Sequence, residues 1–335
     1  MTGWIDRISI RYRGGPIAGV AALAAALCAA VLPAWAQTYP SRPVHLVVPY
    51  AAGGTGDIIG RLIADKLAQS LGQTFVIDNR AGASGAIGTQ SVVAAMPDGQ
   101  TLLVGQTGEI AINQHWIKDP TYDPEKDLQP IALAAVVPLA LVVPRNAPYS
   151  TVAGMLAAAK ARRLSFASAG TGTPGHFAGE LLKLRSAGQF THVPYKGAGP
   201  ALNDLVGGHV DLFFSGFPAA APQVKAGTLK LLAVSSGKRA TAAPDAPAVA
   251  ETAGIGDFDI TLWVGFFAPR ATPKPVVARL NAEINKVLAL PDIRARLLED
   301  GAEIRPMAPD EVTAFARGES QKYLRIIQET GVTSD

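Results

Sequence analysis

Two stretches decide the architecture: His45-Leu46-Val47-Val48-Pro49-Tyr50-Ala51-Ala52-Gly53-Gly54 and, in the second half of the chain, Val193-Pro194-Tyr195-Lys196-Gly197-Ala198-Gly199. Each reads as a short apolar strand, then Pro-Tyr, then a glycine-containing loop, then a helix. The first opens onto Asp57 to Leu71, where Ile58, Leu62, Ile63 and Leu67 recur at helical spacing; the second leads into a helix at Pro200 to Val206. The echo is either convergence on a short pattern or the mark of two similar lobes that each present one glycine loop. Ligands of open parallel sheets bind beyond the strand C-termini, so two such loops would face each other across a cleft.

Around these anchors strand and helix alternate. Phe75-Val76-Ile77 precedes the loop Asn79 to Gly85 and a small-residue helix through Val92 and Val93, and Thr101-Leu102-Leu103-Val104 follows. Leu139 to Val143 reads as a strand that crosses into new territory. Thr151 to Arg163 predicts a helix, Leu164-Ser165-Phe166-Ala167 a strand, Gly175 to Leu184 a helix and Thr191-His192-Val193 a strand. Val210 to Phe214 and Leu229 to Val234 are strand-like, and Thr261 to Ala268 is a further apolar run through Trp263. Three helical stretches close the chain, Pro275 to Leu290, Pro291 to Asp300 and Pro309 to Glu329, each opening at a proline, the residue best tolerated in a first helical turn. The pattern predicts an α/β fold of two open, mostly parallel sheets flanked by helices, and the length suits two domains.

Composition narrows the function. Gly 34 and Pro 25 in 335 residues amount to about 18%, against a usual figure of about 12%. Charged residues are only 17%, and Lys+Arg 30 against Asp+Glu 27 leaves +3, too even and too dilute for a protein that lives on phosphate neutralisation. Hydrophobic residues at 48% can build a core, which excludes disorder. Arg7, Arg11 and Arg13 form a basic start, Ile17 to Leu32 is uninterrupted small and apolar, and Ala34-Trp35-Ala36 fits a cleavage site before Gln37. The run is shorter than the ~20 residues a membrane span prefers, so residues 1–36 read as a signal peptide. Cleavage removes three arginines and one aspartate, taking the formal charge from +3 to +1, and takes the single cysteine, Cys28. The exported chain then has neither a disulfide nor a Cys-ligated metal.

Glycine loops before helices are the main chemical signal. At Gly53-Gly54-Thr55 and at Gly170-Thr171-Gly172-Thr173-Pro174-Gly175 the missing Cβ admits a ligand to the backbone, and free amides at a helix start attract negative charge. The second loop satisfies G-x-G-x-x-G, but Pro174 removes an amide and no acidic residue ends the next strand, which argues against a dinucleotide. No cofactor is expected. The five histidines, His45, His115, His176, His192 and His209, lack metal-ligand spacing, so no metal is expected either. His176, in the first turn after the Gly172-Thr173 loop, is placed either to donate to an anion or to cap its own helix region. Nucleophile elbow, Walker loop and paired catalytic carboxylates are all missing from the sequence. Ser84 reads as a hydroxyl donor or helix cap, and Arg80 and Lys196 stand beside glycine loops, where a cation either neutralises a carboxylate or is solvated. Asp57 favours the start of its own helix. Glu109, after Thr107-Gly108, either faces a ligand amine or starts a helix. Tyr50, Tyr195 and Phe217 are placed to wall a cleft, whereas Phe214 and Trp263 read as core.

Several ordered motifs now point one way. Pro49-Tyr50-Ala51-Ala52-Gly53-Gly54 followed by Asp57, then Asp78-Asn79-Arg80-Ala81-Gly82-Ala83-Ser84-Gly85, Pro97-Asp98-Gly99-Gln100-Thr101-Leu102-Leu103 and His192-Val193-Pro194-Tyr195-Lys196-Gly197 resemble the extracytoplasmic solute receptors of tripartite tricarboxylate transporters, the Bug receptors. Leu232-Ala233-Val234, Phe267-Ala268-Pro269 and Thr272-Pro273 are similar too, so the likeness runs from about Tyr39 to the end. The resemblance implies a two-lobe periplasmic binding protein fold (type II) with a hinge: residues 37–138 with 262–335 as one lobe, 139–261 as the other. It implies a monomer that holds a small organic carboxylate (a di- or tricarboxylate, an amino acid or an aromatic acid) and delivers it to inner-membrane transporter subunits. The same cleft would also serve a sensory receptor for a membrane kinase, or an exported hydrolase or transferase. Carried over position by position, the binding residues are Tyr50, Ala51, Ala52, Gly53, Gly54 and Thr55 with Asp57 and Ser84. Thr171, Gly172, Thr173, His176, Tyr195, Lys196 and Gly197 stand opposite, with Thr107, Gly108, Glu109, Ser215 and Phe217 as further candidates. Gly56, where the family often has a hydroxyl or branched residue, and Ser215-Gly216, in place of a commonly acidic stretch, depart from the pattern, so the ligand cannot be copied from any one relative.

Overall fold

The computed structural model describes residues 39–334; the expected signal peptide and its Cys28 lie outside the described residues. Val44–Val48, apolar and buried at every position but His45, forms β1. It pairs in parallel with β2 (Phe75–Asn79) on one side and β3 (Thr101–Gln106) on the other. The chain then runs through β4 (Leu128–Pro144), β5 (Leu164–Ser168), β6 (Phe190–Pro194), β7 (Leu212–Gly216), β8 (Leu229–Val234) and β9 (Thr261–Pro269).

The long strand β4 organises the rest. Its sequence is apolar almost throughout and nearly every position is buried, as expected of a strand covered on both faces. From Leu128 to Pro138 it pairs with β9; from Leu139 it changes partners and pairs with β7 and β8. Pro138, which has no N–H to give a ladder, stands at the change, and the register shifts near Pro130. The two resulting sheets have the orders β2-β1-β3-β9-β4 and β6-β5-β7-β4-β8. Three strands of each are parallel, as the alternation predicts, while β4, β8 and β9 meet their neighbours antiparallel.

The matching orders place β5 where the first sheet has β1, and β6 where it has β2. The Val-Pro-Tyr echo therefore follows non-equivalent strands and is convergence on a loop, although each sheet does present glycine loops at its strand ends.

Helices cover the sheets. α1 (Thr55–Leu71) buries Ile59, Ile63 and Leu67 and ends on Gly72 in the left-handed conformation that leaves a helix without a Cβ clash. It is followed by α2 (Ala86–Val93), α3 (Val152–Ala161), α4 (Pro174–Ser186), α5 (Ala198–Val206), α6 (Phe217–Lys225), α7 (Lys274–Ala289), α8 (Pro291–Glu299) and α9 (Pro309–Thr330). The last helix serves two cores. Val312 packs with Trp263 and Phe267 beside the first sheet, whereas Tyr323 and Ile326 join Phe177 and Phe258 beside the second. Among the described residues no helix is long and apolar enough to cross a membrane.

Candidate functional site

The loops after β1, β2, β5 and β6 meet in one cleft. The Ala51 amide donates to the Lys196 carbonyl at 3.0 Å, and the Ser84 hydroxyl donates to the Thr171 carbonyl. A Cβ on Gly197, whose φ of +149° already favours glycine, would fall 2.8 Å from the Ala51 nitrogen. A Cβ on Gly53 would lie 3.7 Å from the Gly199 Cα, and one on Gly199 would lie 2.4 Å from the Ala52 carbonyl oxygen. The glycines at Gly53, Gly197 and Gly199 thus let two main chains approach, with Ala51 and Ala52 as the facing surface.

Two spaces remain between the loops. An inner cavity of about 40 Å³ is bordered by Tyr50, Ala51, Gly54, Thr55, Asp57, Gly108 and Thr173 among the sequence-predicted residues. An outer one of about 230 Å³ is bordered by Tyr50, Ser84, Thr171, Tyr195 and Lys196. Tyr50 and Ala169 belong to both. The inner wall carries no cationic side chain. Instead it collects helix starts: Thr55 and Gly56 of α1, Pro174 and Gly175 of α4, Ala198 of α5, and Gly216 just before α6. Amides there have no partner inside their own helix, and the helix dipoles point positive ends at the same space. Thr55 is 3% exposed and its Oγ1 has no hydrogen-bond partner. Such a wall suits an anion with short polar oxygens.

Buried acids hold the wall in place. Asp57 accepts from the Gly53 amide at 3.0 Å, from Asn79 at 3.0 Å and from Arg61 at 3.1 Å. Burial alone would raise its carboxyl, but these hydrogen bonds outweigh burial and hold it below the usual carboxylate range. Its charge is thus spent on the loop and the helix start. Ala83 and Ser84 lie at φ 44° and 52°, left-handed backbone that a non-glycine residue adopts only under constraint. The Ser84 carbonyl is pinned by Asn113 at 3.1 Å and Tyr50 at 3.3 Å, which supplies that constraint.

Glu109 lies in a single π-helical turn, Gly108–Ile112, and is fully buried. Its Oε1 accepts from the Gln106 amide, and Oε2 sits 2.9 Å from the Tyr50 hydroxyl. Gly108 borders the cavity and Glu109 does not. Burial raises its carboxyl to about 8. An unfolded glutamate titrates near ~4.3, so between these values the folded chain keeps a proton that the unfolded chain has released. The stabilisation is complete below about 4.3 and is lost as pH rises through the folded value. Glu109→Gln is expected to remove this slope: in urea denaturation the wild type loses roughly 3–4 kcal/mol more than the variant between about pH 5 and about pH 8. Parallel curves would show that the carboxyl is ionised throughout.

His176 faces its own loop. Its Nδ1 accepts from the Gly172 amide at 3.1 Å, and the ring stacks on His192 at 4.0 Å and meets Trp116 edge-on at 5.6 Å. Burial, with His192 and Lys183 nearby, pushes it down to about 3, so it is a neutral acceptor in this position. His192 in turn lies 2.6 Å from Ser168 Oγ, which bonds both the amide and the carbonyl of Gly170. The pair braces the Gly170–Thr173 loop from behind. Thr107 Oγ1 accepts from the Trp263 amide at 2.9 Å, Ser215 Oγ donates to the Gly216 carbonyl at 3.3 Å, and Phe217 packs against Gly301. None of these three borders either space. Sequence reasoning missed Gln106, which lines the cavity from the end of β3, and Phe213 and Leu262, which close it; no glycine or charge marks them.

Fold and cleft together are those of two-lobe periplasmic binding proteins. R. palustris Rpa4515 with adipate has a TM-score of 0.85 to this chain at 35% identity, covering 88% of this chain and 99% of that one. The periplasmic binding protein BugD gives 0.85 at 34% over 89% and 100%, and MatC of Rhodopseudomonas palustris with bound malate 0.81 at 34% over 86% and 100%. Among sequence relatives, protein BugT of Bordetella pertussis is 34% identical, with 89% of this chain and 92% of BugT covered. The model of the tripartite tricarboxylate transporter family receptor matches residues 59–332. The chain belongs to that family.

Proposed function

We propose that this chain is a periplasmic receptor, not an enzyme, that closes over a small organic carboxylate and presents it to an inner-membrane transporter. The observation that carries the reading is the inner cavity, which gathers four helix starts and the unpartnered Thr55 hydroxyl without one cationic side chain. The adipate and malate bound by two similar proteins support the ligand class. Closure would turn on the partner change of β4 at Pro138 and on the β8–β9 connection. On this reading residues 37–138 with 262–335 move against 139–261, and contacts made only in the closed state drive the motion. The leader would export the chain, which would work as a monomer.

A thermal-shift screen of the chain from Gln37 onward against adipate, malate, tricarboxylates, amino acids and aromatic acids tests this. A ligand at about a hundred times its Kd adds about 2.7 kcal/mol, which shifts a chain of this size by roughly 5 °C or more. If only a polymer or a protein partner raises the midpoint, the reading fails. Mass spectrometry of recovered ligand settles receptor against hydrolase, because a receptor returns it unchanged.

A further inference from the structure

Glu109 is a buried carboxyl that the receptor reading leaves without a role. Among the described residues it forms no ion pair, and its two oxygens have different surroundings. Oε1 accepts an amide N–H from Gln106, the residue's own amide also bonds the carboxyl, and Oε2 lies 2.9 Å from the Tyr50 hydroxyl. Tyr50 is 7% exposed and borders both spaces of the cleft.

We propose that Glu109 is a positioning residue that acts in its protonated form, donating from Oε2 to the Tyr50 oxygen so that the Tyr50 hydroxyl is free to donate to an anion in the cleft. The inference rests on the carboxylate-receptor reading and names what makes that site tolerate a negative charge. If Glu109 is ionised, Tyr50 must donate to it, and the cleft both loses a donor and gains a buried like charge behind its wall. Among the described residues, the protein acceptor that competes for the freed hydroxyl is the Ser84 carbonyl, at 3.3 Å, already held by Asn113.

The titratable groups facing Glu109 are Tyr50, from the loop after β1, and Tyr122, whose hydroxyl donates to the Glu109 carbonyl at 2.7 Å. From β3 comes the Gln106 amide. The turn at Ala83–Gly85, the segments Asn113–Trp116 and Pro124–Asp127, and α9 place no charged side chain in a hydrogen bond or ion pair with the carboxyl. Burial therefore acts unopposed by any cation, which agrees with a carboxyl raised to about 8.

Two measurements test the proposal. The first needs no ligand: in protein labelled with ¹³C at the Glu side-chain carboxyl carbon, one resonance absent from Glu109→Gln is expected at the protonated position at neutral pH, moving to the ionised position near pH 8. A Glu109 carboxyl already ionised at pH 6 overturns the proposal. The second is calorimetric titration with adipate and with malate across this range. Wild-type affinity is expected to fall about tenfold between pH 7 and pH 9, whereas Glu109→Gln, whose amide still donates to Tyr50, gives a flat profile. Tyr50→Phe is expected to lose about tenfold at pH 7 and to be flat as well. A pH-independent wild type, or a variant that keeps the wild-type slope, overturns the proposal and leaves the receptor reading standing. If neither these acids nor any other carboxylate of the screen binds, both fall.

Discussion

Gly199→Ala is expected to weaken binding of a small dicarboxylate about a hundredfold while leaving the free chain at least as stable. The reason is one atom. A Cβ at Gly199 would sit 2.4 Å from the Ala52 carbonyl oxygen across the cleft, far inside contact distance, and main-chain atoms cannot turn aside as a long side chain can. On the proposed hinge motion the methyl would meet nothing from the opposite loop once the sheets part, and within α5 alanine is favoured over glycine by up to about 1 kcal/mol. On that reading the substitution penalises the closed state alone. A hundredfold loss corresponds to about 2.7 kcal/mol, the scale of holding several amide donors out of reach. Calorimetric titration with adipate, beside a melting curve of the free protein, checks both halves. Undiminished affinity would mean that ligand is held without the loops meeting.

Trp263→Ala should be the most damaging single change away from the cleft. Trp263 is fully buried on β9, with Phe315 at 5.6 Å edge-on and Phe267 at 6.3 Å. It fills the space between the first sheet and the first half of α9, beside Val312 and Leu133. Removing so large a ring from a close-packed interior costs about 3–5 kcal/mol. Trp263→Phe keeps most of the ring and should cost less than half of that. Urea denaturation measures both; a loss below about 1 kcal/mol for the alanine variant would show that the core collapses into the gap.

How far the sequence reveals this molecule depends on what each residue does. Val44–Val48 and Thr101–Gln106 announce themselves as apolar runs with punctuated ends, and the proline-opened helices α7, α8 and α9 fall within a residue or two of their predicted starts. The helix α6 escapes because Pro218 and Pro222 read as breakers. The first half of β4 escapes for a similar reason: Pro130 and Pro138 divide a run that the structure keeps as one strand by shifting register and changing partners. At the cleft, positions where main chains approach closely are legible because glycine marks them, as at Gly197 and Gly199. Residues that act through side-chain direction are not. His176 lies where an anion donor would be expected, yet its ring turns back to accept from Gly172. Glu109 lies near the cleft, yet its carboxyl points to Tyr50 and Gln106. Only packing decides such orientations.

The strand orders bear on the sequence of events in folding. The first sheet holds β4 only through β9, which ends at Pro269, whereas the second is built wholly from Leu139 to Val234. A chain that emerges from its N-terminus onward therefore makes the later-encoded sheet whole first. Until β9 arrives, β3 and the front of β4 carry unpaired edges, the kind of surface that invites association with other chains. Truncation before residue 261 should thus leave the second sheet's strands all present, though without the Tyr323 and Ile326 that complete its core, and the first sheet with open edges, and the interval before β9 follows is when a chaperone would have most to protect.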